Sequence, residues 1–272
     1  MARRSSSLAL LLALAINLLQ ATSAQASTPR IGAEDDWYPY TAWRDGRVMG
    51  MSVDLVRAAF ATSATDFELT PYPYSRCMEL ARTGKLAACF NTTPNAVIRA
   101  SFLVPEEMLF SEDIVLWSRS ATPPLEDLDE LAGKRVAATI GYTYGERFDR
   151  LKIFERVPVR RDLNGFLMLQ RGRVDYMVAF RAPTEALLLE HPELAGQFKA
   201  AITLYRPKLY LTFSRQHPQA RELLKRFDQG MRQIRQDGTY DKILQHWQHV
   251  PEQSVLPPST LQGSVHNNAE SP

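Results

Sequence analysis

Apolar positions along this chain follow two periods that take turns. Short continuous runs of small apolar residues, the kind buried on both faces of a parallel sheet, alternate with stretches whose apolar residues recur three and four apart, as on one face of a helix. Arg30 to Ala33 reads as a strand. Glu34 to Asp45 reads as a loop crowded with acidic and aromatic residues (Glu34, Asp35, Asp36, Trp37, Tyr38, Tyr40). Gly50-Met51-Ser52-Val53-Asp54-Leu55 opens a helix with Val53, Leu55, Val56, Ala59 and Phe60 as its apolar face. Phe67 to Thr70 is a second strand, Tyr74 to Thr83 a short amphipathic helix stopped by Gly84, and Leu86 to Phe90 a buried strand. Strand, helix, strand, helix, strand is the order of a doubly wound α/β lobe.

The same alternation restarts after Pro123-Pro124. Leu125 to Leu131 reads as a short acidic helix and Val136 to Ile140 as a strand. The glycine-bounded turn Gly141 to Gly145 follows, opening another helix. Val157 to Val159 is a short strand, Leu163 to Arg171 a helix and Val174 to Phe180 a buried strand. Leu209 to Phe213 is predicted as a further strand, Gln219 to Gln236 as a long helix ending near Gly238, and Asp241 to Trp247 as a last short helix. The expected fold class is α/β, with two doubly wound lobes. From Pro251 onward Pro, Ser, Asn and Gly dominate, so residues 251–272 are expected to be a disordered tail.

The first residues change the picture of where the protein works. Arg3 and Arg4 precede the apolar run Leu8 to Leu19, and Ala24-Gln25-Ala26 fits a small-x-small cleavage pattern. The run is shorter than the roughly 20 residues that a bilayer requires. Residues 1–26 are therefore expected to be a signal peptide, leaving a soluble periplasmic protein of 246 residues. Formal net charge falls from +2 to about zero once Arg3 and Arg4 leave. Charges of both signs are interspersed without a basic block, which argues against a nucleic-acid partner. Cys77 and Cys89 are compatible with one disulfide in an oxidising compartment or with two buried thiols. Their spacing does not suit a zinc site, and neither a metal nor a cofactor is expected.

Four stretches together resemble the bacterial extracellular solute-binding proteins of family 3, the periplasmic polar amino acid group with the type II periplasmic binding fold. They are Gly50 to Leu55, Leu128 to Gly141 (LDELAGKRVAATIG), Arg171-Gly172-Arg173-Val174-Asp175, and Met231 to Trp247 (MRQIRQDGTYDKILQHW). The resemblance covers about Arg30 to Trp247, and the order of the four stretches carries more than any one alone. It implies a second lobe inserted into the first: residues 27–116 and 210–250 in lobe 1, residues 117–209 in lobe 2. It also implies two hinge strands near Ile114 to Trp117 and Leu209 to Phe213, and a ligand held between lobes that close on it.

The same resemblance nominates a site. It places an acidic and an aromatic side chain in the first loop, Glu34 and Trp37 here, with Tyr74 as a second aromatic. An Arg after a Thr-rich loop binds the ligand's carboxylate in such proteins, because a guanidinium fork matches two oxygens. Thr93 and Arg99 are the counterparts, although the spacing from Thr to Arg differs from the family's by about two residues. Tyr142 and Thr143, in the Gly141 to Gly145 turn, would add hydroxyls beside backbone N–H groups. The Asp that relatives use for the ligand's ammonium is absent, since Phe180 and Arg181 stand where it is usual.

The sequence carries no His-Glu-x-x-His, no Gly-x-Ser-x-Gly and no phosphate loop. The five histidines fall at predicted helix ends or in the tail, where solvated roles are the default. The reading is capture without catalysis: a monomeric periplasmic substrate-binding protein that takes a small carboxylate-bearing solute, an amino acid or relative, to the membrane permease of an ABC transporter. Two alternatives remain open. One is a dehydratase-like enzyme on this fold acting on a prephenate-like acid, with Glu34 as general acid. The other is a ligand-loaded sensor component.

Overall fold

The computed structural model describes residues 27–253. The expected signal peptide and almost all of the expected tail lie outside the described residues. The chain begins as β1 (Arg30–Glu34), turns through the short strands β2 (Asp36–Trp37), β3 (Thr41–Arg44) and β4 (Arg47–Met49), and continues into α1 (Met51–Ala61). It proceeds through β5 (Glu68–Tyr72), α2 (Tyr74–Arg82), β6 (Ala88–Thr92), α3 (Ala96–Ser101), β7 (Phe102–Leu103) and β8 (Phe110–Ser111). A second series follows: β9 (Ile114–Arg119), a 3-10 turn (Leu128–Leu131), β10 (Arg135–Thr139), α4 (Glu146–Arg150), β11 (Glu155–Val159), α5 (Asp162–Gln170), β12 (Tyr176–Phe180), α6 (Arg181–Glu190) and β13 (Phe198–Tyr205). The chain then returns as β14 (Lys208–Ser214), α7 (Ala220–Gln236) and α8 (Thr239–Gln253).

These strands form two main sheets, ordered β5-β1-β6-β14-β7 and β11-β10-β12-β9-β13. In each, the two β-α-β units pair in parallel, and the strands at the crossing between lobes run antiparallel. β6 and β12 are buried along their whole length; β12 reads as an apolar run throughout, whereas the run Leu86 to Phe90 covers only the first three residues of β6, whose end carries the buried polar Asn91 and Thr92. The segment expected to be a loop after Glu34 is instead the three-stranded β2-β3-β4 meander. Its strands are two to four residues long and their mixed polarity hid the alternation. α6 and β13 lie where the pattern pointed to no element.

The chain passes between sheets slightly earlier than expected. Ile114 to Trp117 belongs wholly to β9 in the second sheet, and Leu209 to Phe213 wholly to β14 in the first. The crossings are at residues 112–113 and 206–207, side by side. Asp113 accepts hydrogen bonds from Arg206 at 2.6 and 3.0 Å and from Arg181 at 3.4 Å. Arg206 and Arg181 together hold the Asp113 carboxyl below its ordinary pKa.

Packing in the first lobe depends on one close approach. α1 crosses α7 where Gly230 meets the Ala59 carbonyl, and a Cβ there would sit 2.0 Å from that oxygen. The last helix is tied back by the Tyr240 hydroxyl, which donates to the Leu109 carbonyl at 2.7 Å, and by Trp247 Nε1, which donates to Asp54 at 2.8 Å. Asp54 and Trp247 come from two of the family-like stretches, so that likeness marks a contact that closes the first lobe. Cys77 on α2 and Cys89 on β6 are joined in a disulfide, their Cα atoms 6.0 Å apart.

Candidate functional site

β1 ends in Glu34 at the carboxyl edge of the first sheet, facing the second lobe across the gap. In open α/β sheets this edge, where strand order reverses, is where ligands bind. Glu34 is only 6% exposed and Trp37, three residues on, is 3% exposed. The Gly141 to Gly145 turn brings Tyr142 across from the second lobe, and its hydroxyl donates to Glu34 Oε1. Around the Tyr142 ring stand Tyr74 at 5.2 Å, Phe180 at 6.2 Å and Trp37 at 6.5 Å, centroid to centroid, each edge to face. Glu34 is thus the acidic end of an aromatic box built from both lobes.

The backbone fits this approach. Gly141 has φ +88°, and a Cβ would lie 3.2 Å from Ser75 Cβ and 3.6 Å from the Tyr74 ring. Only glycine takes that conformation there at little cost and lets the lobes meet so closely. Asn91, missed by the sequence reading, closes another wall. Its side chain donates to Thr41 at 3.0 Å and accepts from Ser52 at 2.7 Å. Asn91 adopts φ +56°, which Asn tolerates better than most residues.

Electrostatics in the chamber favour neutral forms. Burial pushes the Glu34 carboxyl well above its ordinary value, the Tyr142 hydrogen bond opposes that, and Asp162, Asp35 and Asp36 add to it. Asp162, at the start of α5, is pushed up to about 6 by burial, against a hydrogen bond from Thr139. Burial also raises the Tyr74 and Tyr142 phenols. The indole N–H of Trp37 is buried with no partner among the described residues.

The remaining nominated residues divide. The Thr93 and Thr143 hydroxyls meet at 2.6 Å, joining β6's end to the second lobe. They border the Glu34 chamber on one side and a much larger cleft on the other. Arg99 is not with Glu34. The stretch after Thr93 winds into α3, capped by the Asn95 side chain on the Ile98 N–H at 2.9 Å, and Arg99 sits in its last turn facing the larger cleft. The altered spacing from Thr93 was the visible sign of this shift. Glu34, Trp37, Tyr74, Tyr142, Thr93 and Thr143 therefore converge, and Arg99 stands apart.

The chamber has about 10 Å³ of free space, room for one water at most. The cleft beyond the threonines holds about 870 Å³ between the lobes. On the opposite flank, Arg161 pairs with Asp36 and, at 3.3 Å, with Asp35, while Arg44 pairs with Glu190. These contacts bridge the lobes, and Tyr142 occupies the acidic end of the chamber. Among the described residues no cluster of His, Cys, Asp and Glu could hold a metal ion. No helix among them is long and apolar enough to cross a membrane.

Residues 30–250 match the bacterial extracellular solute-binding proteins, family 3. The chain belongs to that family. The architecture agrees with the type II periplasmic binding fold. An arginine-binding protein from T. maritima, in its P235GK mutant form, superposes with a TM-score of 0.69 at 19% identity, over 81% of this chain and 94% of that one. A histidine kinase sensor domain described as similar to periplasmic binding proteins superposes with a TM-score of 0.72 at 20% identity, over 81% and 96%. In sequence, a putative sensor protein of Shewanella frigidimarina (strain NCIMB 400) is 30% identical over 121 residues, 43% of this chain and 17% of that protein. This family 3 chain thus spans less than a fifth of the sensor protein's length over the matched region.

Proposed function

We propose that the protein is a periplasmic binding protein that captures a small cationic solute, an amino acid of the arginine class, between its two lobes and delivers it to an amino acid ABC transporter. The observation that carries this reading is the Glu34–Tyr142 contact across the lobes. An acid buried in an aromatic box at the meeting of two lobes suits a guanidinium or ammonium group, through its carboxylate and through ring faces. In the closed protein a phenol occupies that place, so the solute enters by displacing Tyr142 as the lobes part and close again. Family membership and the superposition on arginine-binding proteins support capture over catalysis. The expected leader, a monomeric state and a membrane permease as partner complete the reading.

A sensor role is the second reading, favoured by the Shewanella relative and by the kinase sensor domain of like fold. Both roles share the capture step. A thermal-shift panel of the amino acids on the purified chain tests it. Ligand at about 100 times its Kd adds about 2.7 kcal/mol of stability, and L-arginine or L-lysine is expected to raise the melting temperature most. A flat response across the panel overturns the proposal. Loss of the response in Glu34→Gln places the cation at this acid.

A further inference from the structure

The cleft beyond Thr93 and Thr143 has its own chemistry. It is lined from the first lobe by Thr93 to Val97, Arg99, Lys208 and Tyr210, and from the second by α4 and the end of β13. Strand alternation sets Lys208 and Tyr210 on the cleft face of β14, while Leu209 and Leu211 between and beyond them are fully buried. Tyr205 stands opposite, with its ring packed on the Gly145 backbone.

Most charges around this cleft are already matched. Arg147 pairs with Asp127 at 3.2 Å, Arg150 pairs with Glu146, and Asp149 is taken by Arg156 at 3.1 Å. Arg99 and Lys208 are the exceptions. Neither side chain has an ion pair or hydrogen-bond partner among the described residues, and both face the same 870 Å³ space. Two unmatched cations beside Tyr205 and Tyr210 describe a place for an anionic group on an apolar stem. The volume lies within the roughly 300–1,000 Å³ typical of small-molecule sites.

The Thr93–Thr143 hydrogen bond is the common wall of this cleft and the Glu34 chamber, so parting the two hydroxyls joins them. We propose that the cleft is a second subsite, so that beside single amino acids the protein holds, and holds more tightly, a solute longer than one amino acid: a cationic head at Glu34 and a tail bearing carboxylates at Arg99 and Lys208. This rests on the reading that solute is captured between the lobes. A dipeptide of one basic and one acidic residue carries the opposite charges that the two ends call for.

Calorimetry on the full chain tests this with three probes: L-arginine, the dipeptide arginyl-glutamate, and arginyl-glutamine amide, whose tail is uncharged. Arginyl-glutamate is expected to bind tightest. Arg99→Ala and Lys208→Ala should each weaken it by up to about fivefold, the scale of an exposed ion pair. The amide should change less than about twofold, and Arg221→Ala, an exposed charge on α7, should leave all three probes alone. Binding of L-arginine as tight as that of arginyl-glutamate overturns the proposal while leaving capture intact. Equal weakening of both dipeptides in Arg99→Ala also overturns it. Silence from all three probes sinks the long ligand, and silence from the amino acid panel as well sinks capture itself.

Discussion

The phenol of Tyr142, on the second lobe, donates its hydrogen to the buried carboxyl of Glu34 on the first. The contact bridges the lobes at the place where the proposed solute would sit. A solute bound there would have to displace this contact.

Removing that hydroxyl separates the two roles. Tyr142→Phe keeps the ring among Tyr74, Phe180 and Trp37 but leaves Glu34 without its partner. A buried polar group left unsatisfied costs about 1–3 kcal/mol, so the unliganded variant should melt at a lower temperature than the natural protein. Small-angle scattering should show a larger radius as the lobes part. An unchanged melting temperature with an unchanged radius would mean that this contact does not hold the lobes together.

Acidity should act on the same place. A carboxyl whose pKa is higher folded than unfolded keeps a proton that the unfolded chain gives up. Its stabilisation is therefore complete below the unfolded value and is lost as pH rises through the folded one. For Asp162 the window runs from 3.8 to about 6; for Glu34 it begins near 4.5 and extends upward. Denaturation midpoints taken at pH 4, 5, 6 and 7 should show that Asp162→Asn gains on the natural protein as pH climbs through that lower window. A constant difference between the two chains would show that Asp162 does not titrate there.

Much of this architecture was legible because burial writes itself into sequence. β12 and the first half of β6 are fully buried and stood out as apolar runs, and α1 and α7 showed their faces. The β2-β3-β4 meander did not, since strands of two to four residues have too few positions to establish a period. β13 was hidden differently: its burial alternates only weakly along FKAAITLY, where apolar residues fall on both faces. At the site, Glu34, Trp37, Tyr74 and Tyr142 were nominated by resemblance and do converge. Arg99 does not join them, because α3 carries it out to the cleft. Lys208 and Asp162 had no local signature at all; only the fold brings them to the gap between lobes.

The Cys77–Cys89 bridge joins α2 to β6, 12 residues apart in sequence. Closing a loop of this length removes unfolded-state entropy worth about 3 kcal/mol in the chain-entropy account. Cys77→Ser with Cys89→Ser should lower stability by about 2–3 kcal/mol in denaturant titration. The denatured, unreduced natural chain should show no free thiol to a thiol reagent. Two thiols per chain would contradict the bridge.

Gly230 offers a test in which two physical rules oppose each other. In the interior of a helix, replacing Gly by Ala ordinarily gains about 0.5–1 kcal/mol, since Ala loses less conformational freedom. Gly230 lies within α7 and its backbone is helical, so propensity alone favours Gly230→Ala. Packing points the other way. The new Cβ would fall 2.0 Å from the Ala59 carbonyl oxygen, 2.6 Å from its carbon and 3.0 Å from its Cα. These are backbone atoms of α1, so no rotamer change relieves the contact; the two helices must move apart. Separating them loosens Phe60 from Phe227, whose rings are 5.9 Å apart. Overpacking of this kind costs about 1–3 kcal/mol and more where backbone must shift, so Gly230→Ala should be destabilised by about 3 kcal/mol in urea titration. Neither Ala59 nor Gly230 lines the chamber or the cleft between the lobes, and the folded variant should bind L-arginine as the natural protein does. A variant more stable than the natural chain would show that α1 and α7 do not approach as closely as the Ala59–Gly230 contact requires.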